Sequence, residues 1–330
     1  MYGYCDQRYH TSTKRVDHRA KMGKLLVTGA AGFVGRAVVT AFLESGDDVR
    51  AAVRSTPHPP FGSGIEVIRH PDLFQPVDWQ PLVAGVDFVI HLAGIAHTGR
   101  GISAETYDRV NRLATEQAAQ AAARAGVRRF VFISSIRAQS GSSTEHVLSE
   151  RDHARPTDDY GRSKLAAEEA VRSSGVPFTI LRPVLLYGPG AKGNFAALLR
   201  AANSPWPLPV GQFANRRSLL DVENFLSALR FVFDAPKTLG ATYIVADPGI
   251  PPSLAELIAT LRKAQGRRPL LLPIPTGVFS APLRLMGRGD LWQRISGDLQ
   301  ADPGKLIAAG WTPQRDTASG LAALVHTAAR

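Results

Sequence analysis

Short apolar runs alternate with longer Ala-rich stretches from Lys24 onwards. The apolar runs have the length of β-strands and carry the continuous hydrophobicity of strands that are buried on both faces. They are Leu25–Thr28, Val49–Val53, Ile65–Arg69, Val86–Leu92, Arg129–Ser134 and Phe178–Leu181. Strands that alternate with helices in this way are typical of a parallel sheet covered by helices on both sides. We therefore predict an α/β fold with a doubly wound parallel sheet.

The stretches between these runs carry alanine and apolar side chains at helical spacing. They predict helices at Gly32–Ser45, Ala104–Ala125 and Asp158–Ser174. After Arg182 and Pro183, proline and glycine become frequent and the predicted elements become shorter. We therefore predict that residues 22–182 form the main domain and that residues 183–330 form mainly a smaller C-terminal lobe.

The C-terminal lobe is predicted to be mostly helical. Its predicted helices are Asn194–Ala202, Val222–Phe233, Ser253–Ala264 and Ala318–Ala328. A short apolar run at Thr242–Ala246 predicts a strand, which we expect to return to the main sheet.

Composition narrows the classes of protein to consider. The formal net charge is +11, but residues 1–21 carry five basic and two acidic side chains and so supply +3 of it. The remaining basic residues are scattered, which argues against a nucleic-acid partner. We expect residues 1–21 to be a disordered tail, a tag or the product of a misplaced start codon. No run is long and apolar enough to span a membrane, so we expect a cytoplasmic protein without a membrane partner. The single cysteine, Cys5, excludes an internal disulfide, and we expect no metal site.

A glycine-rich turn follows the first predicted strand directly. Gly29, Gly32 and Gly35 stand at the point where the chain passes from strand to helix. Glycines there allow a tight turn, close approach of a pyrophosphate and close packing of the helix, whose N-terminus then faces the phosphates. We predict a dinucleotide site, with these cofactor contacts: Gly29, Ala31, Gly32, Phe33 and Val34.

The end of the second strand bears on the choice of cofactor. NAD sites usually place an acidic residue there for the ribose hydroxyl, but this chain has Arg54, which suits a 2′-phosphate. Asp72, beyond the third strand, is a candidate for the adenine amine or a turn residue. The sequence predicts NADP or NAD as cofactor and favours NADP.

A tyrosine and a lysine share one face of the third main-domain helix. Tyr160 and Lys164 are four residues apart, so their side chains project from the same side. A nearby ammonium group favours phenolate and lowers the pKa of a tyrosine, which makes a proton carrier of Tyr160. Ser135 ends the fifth strand at the edge where ligands of doubly wound sheets bind. We predict that Ser135, Tyr160 and Lys164 are catalytic.

Taken in order, these motifs resemble the extended short-chain dehydrogenase/reductases, a family of nucleotide-sugar epimerases, dehydratases and 4-keto reductases. The resemblance covers about residues 24–313 and includes His91 to Gly94, Asn111, Arg182 with Pro183, and Tyr187 to Pro189. It implies a Rossmann fold for residues 22–182. It also implies a nicotinamide site whose further contacts are Leu92, Ala93, Gly94, Asn111, Tyr160, Lys164 and Pro183.

The resemblance also implies a substrate site in the C-terminal lobe. Family members hold the diphosphate of a UDP-sugar with an asparagine at a helix start and with arginines later in the chain. Asn194 and Arg217 fit two of these positions, and Arg294 or Arg288 fits a second arginine. Ser135 would contact the reacting oxygen of the sugar. The sequence leaves open whether the chain forms a homodimer.

The residues after Ser135 bear on the reaction. Dehydratases of this family carry an Asp-Glu pair there, whereas this chain has Ile136 and Arg137, so we do not expect dehydration. The expected activity is reduction of a UDP-4-keto-6-deoxy-N-acetylhexosamine, with UDP-hexose 4-epimerisation (UDP-glucose or UDP-N-acetylglucosamine) as the alternative. A third alternative is a protein that binds NADP as a sensor or assembly module without catalysis. It is disfavoured because Ser135, Tyr160 and Lys164 are all present.

Overall fold

A seven-stranded parallel sheet forms the centre of the protein in a computed structural model, which describes residues 23–56, 60–96, 101–191, 193–278 and 296–328. The spatial order of the strands is β3-β2-β1-β4-β5-β6-β9, and every neighbouring pair is parallel. The strands are β1 (Leu25–Thr28), β2 (Val49–Val53), β3 (Glu66–Arg69), β4 (Phe88–His91), β5 (Arg129–Ile133), β6 (Phe178–Pro183) and β9 (Ala241–Val245). The predicted doubly wound α/β fold is confirmed.

Helices cover both faces of the sheet, numbered in order along the described residues. The main-domain helices are α1 (Phe33–Glu44), α2 (Gln80–Val83), α3 (Ala104–Tyr107), α4 (Ala114–Arg124) and α5 (Asp159–Ser173). Those of the second half are α6 (Asn194–Asn203), α7 (Val222–Asp234), α8 (Leu254–Ala264), α9 (Gly304–Ala308) and α10 (Thr317–Ala328).

The two faces of β1 show why the sheet forms. Leu25 and Val27 pack on one side, in a core shared with α1 and α7, while Leu26 packs on the other side with α4 and α5. Side chains alternate across a strand, so a strand buried on both faces needs an unbroken apolar run. The apolar runs in the sequence are therefore the direct cause of the central sheet.

The second half of the chain is built partly into the main sheet. Strand β9 lies beside β6 at the edge of the sheet, and β7 (Leu185–Tyr187) pairs in parallel with β8 (Leu219–Asp221) in a separate two-stranded sheet. A small apolar core of its own joins α6, α8 and α10 to these strands. Its buried members include Tyr187, Phe195, Leu219, Leu257, Leu261 and Leu321.

The predicted helix Ala104–Ala125 differs from the structure in its middle. Residues Asp108–Leu113 form a π-helical turn between α3 and α4. The prediction of one regular α-helix was wrong here, because apolar spacing does not reveal a single wide turn. Sequence analysis did not predict the short elements α2 and β7.

Candidate active site

The carboxyl ends of three neighbouring strands meet at one edge of the sheet. Thr28 pairs with His91, and His91 in turn pairs with Phe132, so β1, β4 and β5 end at the same level. The order of strands reverses between β1 and β4, which is where ligands bind in doubly wound folds. The loops that begin at Gly29, Leu92 and Ser134 therefore border one groove.

The glycine loop needs glycine at two positions. Gly29 has φ +67°, and a Cβ there would lie 2.9 Å from the backbone nitrogen of Ala93. A Cβ on Gly35 would lie 2.2 Å from the carbonyl oxygen of Gly29. The loop thus packs tightly against β4 and α1, while Ala31 and Gly32 face outwards and Phe33 and Val34 are half-buried.

The first turn of α1 is open to an anion. Gly32, its N-cap residue, supplies no side-chain cap, and the first turn has no acidic residue. Backbone N–H groups at such a helix start suit a phosphate. The predicted cofactor residues at this loop are therefore arranged in a way that fits a pyrophosphate.

Arg54 and Asp72 contact each other at the ends of β2 and β3. Nη1 of Arg54 lies 2.9 Å from Oδ2 of Asp72, and their side chains are 70% and 50% exposed. A hydrogen bond from the backbone N–H of Phe74, together with Arg54, holds the pKa of Asp72 below its usual range. Asp72 is thus both a turn residue and an ion-pair partner, and the predicted cofactor-selecting arginine is exposed to solvent.

Asn111 lies in the π-helical turn and connects three segments. Its Oδ1 accepts a 2.8 Å hydrogen bond from the N–H of Ile95, and its Nδ2 donates to the carbonyl of Ile95 and to Oγ of Ser163. A Cβ on Gly94 would lie 2.8 Å from Oδ1 of Asn111, so this position requires glycine. Asn111 therefore fixes the loop after β4 to α5.

Tyr160 lies in the first turn of α5 and is buried. Its hydroxyl is hydrogen-bonded to Ser135, and its ring lies 5.9 Å from the ring of Tyr107. Burial raises the pKa of Tyr160 to about 12, against the smaller lowering effects of Ser135 and Arg137. The sequence-based expectation of a lowered pKa is wrong for the protein alone, because desolvation of the phenolate outweighs the nearby positive charge.

Lys164, one turn further along α5, is also buried. Its Nζ donates a 3.0 Å hydrogen bond to the carbonyl of Ile133 and lies 4.8 Å from the centre of the Phe132 ring. Burial lowers the pKa of Lys164 to about 8, and Glu168 opposes this shift. A Cβ on Gly94 would lie 3.8 Å from this Nζ. The structure thus brings Lys164 to the groove beside Gly94 and Asn111.

A buried carboxylate that sequence analysis missed lies below this site. Glu168 is fully buried and accepts hydrogen bonds from Oγ of Ser134 and from both Nε and Nη2 of Arg182. Arg172 donates to it as well, at 2.9 Å. The available signal was its place four residues after Lys164, on the same face of α5. Glu168 connects β5, β6 and α5 next to the predicted catalytic residues.

Arg217 is half-buried and is held by backbone carbonyls. Its Nη1 donates to Gly297 and its Nη2 to Ser142, at 3.1 and 2.7 Å. Burial, and then the positive charge of Arg137, lower the pKa of Arg217. Arg216 forms an ion pair with Glu256. Of the two adjacent arginines, Arg217 is therefore the one packed against the segment that follows Ser135.

The other predicted residues are placed as follows. Leu92 and Ala93 lie in the loop after β4, where the N–H of Ala93 donates to Oγ1 of Thr28, and Pro183 is buried at the end of β6. Asn194 begins α6. Arg294 and Arg288 lie outside the described residues, as do residues 1–21. Among the described residues, no cluster of His, Cys, Asp and Glu could hold a metal ion, and no helix is long and apolar enough to cross a membrane.

Two of the known proteins that this chain resembles span most of its length. The UDP-glucose 4-epimerase of Vibrio cholerae is 33% identical over 312 residues, covering 91% of this chain and 94% of that protein. The ceramide reductase of Caulobacter vibrioides is 29% identical over 299 residues, covering 88% and 86%.

A solved structure and a family profile agree with these relatives. The structure of MoeE5 in complex with UDP-glucose and NAD is 26% identical, has a TM-score of 0.71 and covers 93% of this chain and 99% of its own. The profile of the NAD dependent epimerase/dehydratase family matches residues 25–246. This span contains the glycine loop, Ser135, Tyr160 and Lys164, and so confirms the resemblance derived from the motifs. The chain therefore belongs to the NAD dependent epimerase/dehydratase family.

Proposed function

We propose that this protein is a UDP-hexose 4-epimerase, which oxidises and then reduces C4 of a sugar linked to UDP. The observation that supports this most is the hydrogen-bonded pair of Ser135 and Tyr160 at the edge of the sheet, with Lys164 one turn away. Lys164 lies beside Gly94, whose exposed backbone borders the groove that begins at the glycine loop.

The groove fits a nicotinamide dinucleotide along its length. Gly29, the open first turn of α1 and the close packing at Gly35 suit the pyrophosphate, and Arg54 with Asp72 lies where the adenosine ribose would reach. Ala31 to Val34, Leu92, Ala93 and Pro183 complete the proposed lining. Bound NAD(P) would supply the nicotinamide ring that exchanges a hydrogen with C4.

In the proposed mechanism, Tyr160 moves the proton. Its phenolate oxygen would take the proton of the C4 hydroxyl during oxidation, and the hydroxyl so formed would return the proton during reduction, while Ser135 donates a hydrogen bond to the reacting oxygen. Lys164 adds positive charge next to the groove and would hold the nicotinamide ribose. Asn111 keeps Gly94 and α5 at a fixed separation, so these groups meet substrate without rearrangement.

Residues of the second half of the chain are proposed to bind the substrate. Arg217 is half-buried, close enough to Arg137 for the two charges to interact, and its positive charge suits a diphosphate. Asn194 at the start of α6 and Arg294 are proposed as further diphosphate contacts. The V. cholerae relative named as a UDP-glucose 4-epimerase, and MoeE5 with UDP-glucose bound, support a UDP-sugar.

Reduction of a UDP-4-keto-6-deoxy-N-acetylhexosamine is the second candidate. Arg54 favours it, because a reductase must exchange its cofactor and a 2′-phosphate would mark NADPH. In the structure, however, Arg54 is already paired with Asp72 and largely exposed, which weakens the preference that the sequence alone suggested.

Two measurements on the purified protein decide between these functions. Mass spectrometry identifies the nucleotides that the protein releases on denaturation, and retained NAD is expected for an epimerase. UDP-glucose and UDP-N-acetylglucosamine are then incubated with the protein, and the products are separated by chromatography. Formation of the C4 epimers supports the proposal. NADPH consumption with a 4-keto sugar, without epimer formation, would favour the reductase, and consumption only with a ceramide precursor would overturn both.

A further inference from the structure

Arg137 and Asp158 bridge the two segments that carry the proposed proton relay. Arg137 lies two residues after Ser135, and its backbone N–H donates a 3.2 Å hydrogen bond to Oγ of Ser135. Its guanidinium forms an ion pair with Asp158, the N-cap residue of α5, two residues before Tyr160. The side chains of Arg137 and Asp158 are only 15% and 25% exposed. One ion pair thus joins the segment of Ser135 to the segment of Tyr160.

The backbone at Gly161 makes this contact close. A Cβ on Gly161 would lie 2.3 Å from the carbonyl oxygen of Arg137 and 3.1 Å from Oδ1 of Asp158. Oδ1 of Asp158 accepts a 2.7 Å hydrogen bond from the N–H of Gly161, while Oδ2 accepts from Arg137. Asp158 therefore caps the helix with one oxygen and holds Arg137 with the other.

We propose that Arg137 and Asp158 are positioning residues that clamp Ser135 against Tyr160 and place opposite charges beside the hydroxyl that carries the proton. The inference rests on the proposed acid–base role of Tyr160. It gives Arg137 and Asp158 a role in the reaction. The family resemblance used the residues after Ser135 only to argue against dehydration.

The two charges act on Tyr160 with opposite sign. Arg137 lowers the pKa of Tyr160, whereas Asp158 raises it. The other groups that face Tyr160 are Ser135, whose hydrogen bond lowers the pKa, and Tyr107, which raises it. Lys164 lies one turn away on the same helix, with its amino group bonded to Ile133. An ion pair far from Tyr160 could hold the two segments together without acting on this pKa.

The sign of each effect follows directly. Oxidation needs Tyr160 to accept a proton, so its rate rises as pH passes through the pKa of Tyr160. Arg137→Gln removes the charge that favours phenolate and moves this midpoint to higher pH. Asp158→Asn keeps an oxygen for the cap, removes the charge that opposes phenolate and moves the midpoint to lower pH. We expect each shift to be about half a pH unit or more.

The positive nicotinamide ring of bound NAD would lower the pKa of Tyr160 from about 12 in the protein alone. The first test therefore follows the first turnover by absorbance at 340 nm, with UDP-glucose added to the NAD-saturated protein between pH 5.5 and 11. The variants are Arg137→Gln, Asp158→Asn, the double variant and Arg137→Lys. Arg137→Lys keeps the positive charge and should therefore keep the midpoint of the parent protein. Arg162→Gln is the matched control, because Arg162 pairs with Asp159 on the exposed side of the same helix turn. It should leave the midpoint unchanged.

A second readout needs no turnover and separates this proposal from the proposed function. Tyrosine labelled with carbon-13 at Cζ gives a resonance for Tyr160, assigned by its loss in Tyr160→Phe, and its shift with pH reports the phenolate in NAD-saturated protein. Opposite displacements in Arg137→Gln and Asp158→Asn support the clamp even if UDP-glucose is not a substrate. Unchanged midpoints, or shifts in the same direction, would overturn it. Thermal melts confirm that each variant is folded.

Discussion

The two ends of the proposed cofactor groove differ in how deeply their polar side chains are buried. At the reaction end, Asn111, Lys164 and Glu168 are buried, and each has protein hydrogen-bond partners. At the adenosine end, Arg54 and Asp72 form one ion pair whose side chains are at least half exposed. A buried network cannot rearrange without leaving polar groups unpaired, whereas an exposed pair is screened and separates at little cost. We therefore expect the proposed catalytic groups to be held in place before substrate binds, and the proposed adenosine end to select only weakly between NAD and NADP.

The largest effect is expected at the reaction end, from Tyr160→Phe. Loss of the hydroxyl removes the proton carrier but leaves the apolar ring, so turnover should fall by about 10²-fold to 10⁴-fold. Initial rates with UDP-glucose measure this, and NAD affinity should stay the same. Activity within about threefold of the parent would show that Tyr160 is not the acid–base group.

The buried network beneath the site should dominate stability. Glu168→Ala leaves Arg182 buried without its carboxylate, and we expect the free energy of unfolding to fall by about 3 to 5 kcal/mol. Glu169→Ala, at a neighbouring residue whose side chain is 72% exposed, is the matched control and should change it by less than about 0.5 kcal/mol. Urea unfolding measures both, and equal effects would contradict the contrast between buried and exposed charges.

Arg217 is half-buried, and so lies between the buried and the exposed charges in its contact with solvent. Arg217→Ala should weaken binding of UDP by about 2 to 3 kcal/mol, because a charged donor to the diphosphate is lost in a partly closed cleft. Calorimetry with UDP gives the affinity, and NAD binding should not change. Arg216→Ala removes the adjacent guanidinium, which pairs with Glu256, and should leave UDP affinity intact. Equal losses in both variants would point to general electrostatics rather than to a specific contact.

The smallest effect is expected at the adenosine end. Arg54→Asp should shift the preference from NADPH towards NADH by about 1 kcal/mol, or about fivefold, because solvent screens so exposed a charge. Fluorescence titration of both cofactors into both proteins measures the ratio. Arg69→Asp, on the neighbouring strand, makes the same change of charge and should leave the ratio as it was. A change in the ratio of NADPH to NADH affinity larger than a hundredfold would show that Arg54 selects the cofactor strongly in spite of its exposure.

Sequence analysis predicted what local patterns determine. The apolar runs predicted the positions of the main strands along the chain, and the spacing of Tyr160 and Lys164 placed both on one side of α5. The spacing of Glu168 from Lys164 could not show the role of this carboxylate, because its partners lie directly after β5 (Ser134) and in β6 (Arg182) and meet it only in the folded protein. The raised pKa of Tyr160 was also out of reach, since it depends on how deeply α5 is buried rather than on neighbouring residues.

The ion pair of Arg137 with Asp158 shows the same limit. Each residue looks like an ordinary surface charge in the sequence, and 20 residues separate them. Their contact depends on the close approach of two backbones at Gly161, which only the folded structure reveals.

The π-helical turn at Asp108–Leu113 makes the site sensitive to the deletion of a single residue. A π-turn holds about one residue more than an α-helical turn, so deleting one residue there would allow a regular helix to form. Such a deletion would improve the backbone hydrogen bonding of the helix locally. It would also rotate the residues on one side of the turn by about 100° relative to those on the other. Asn111 and Tyr107 could not then keep both their contacts with α5, so a shorter and more regular helix would be a worse one for this protein.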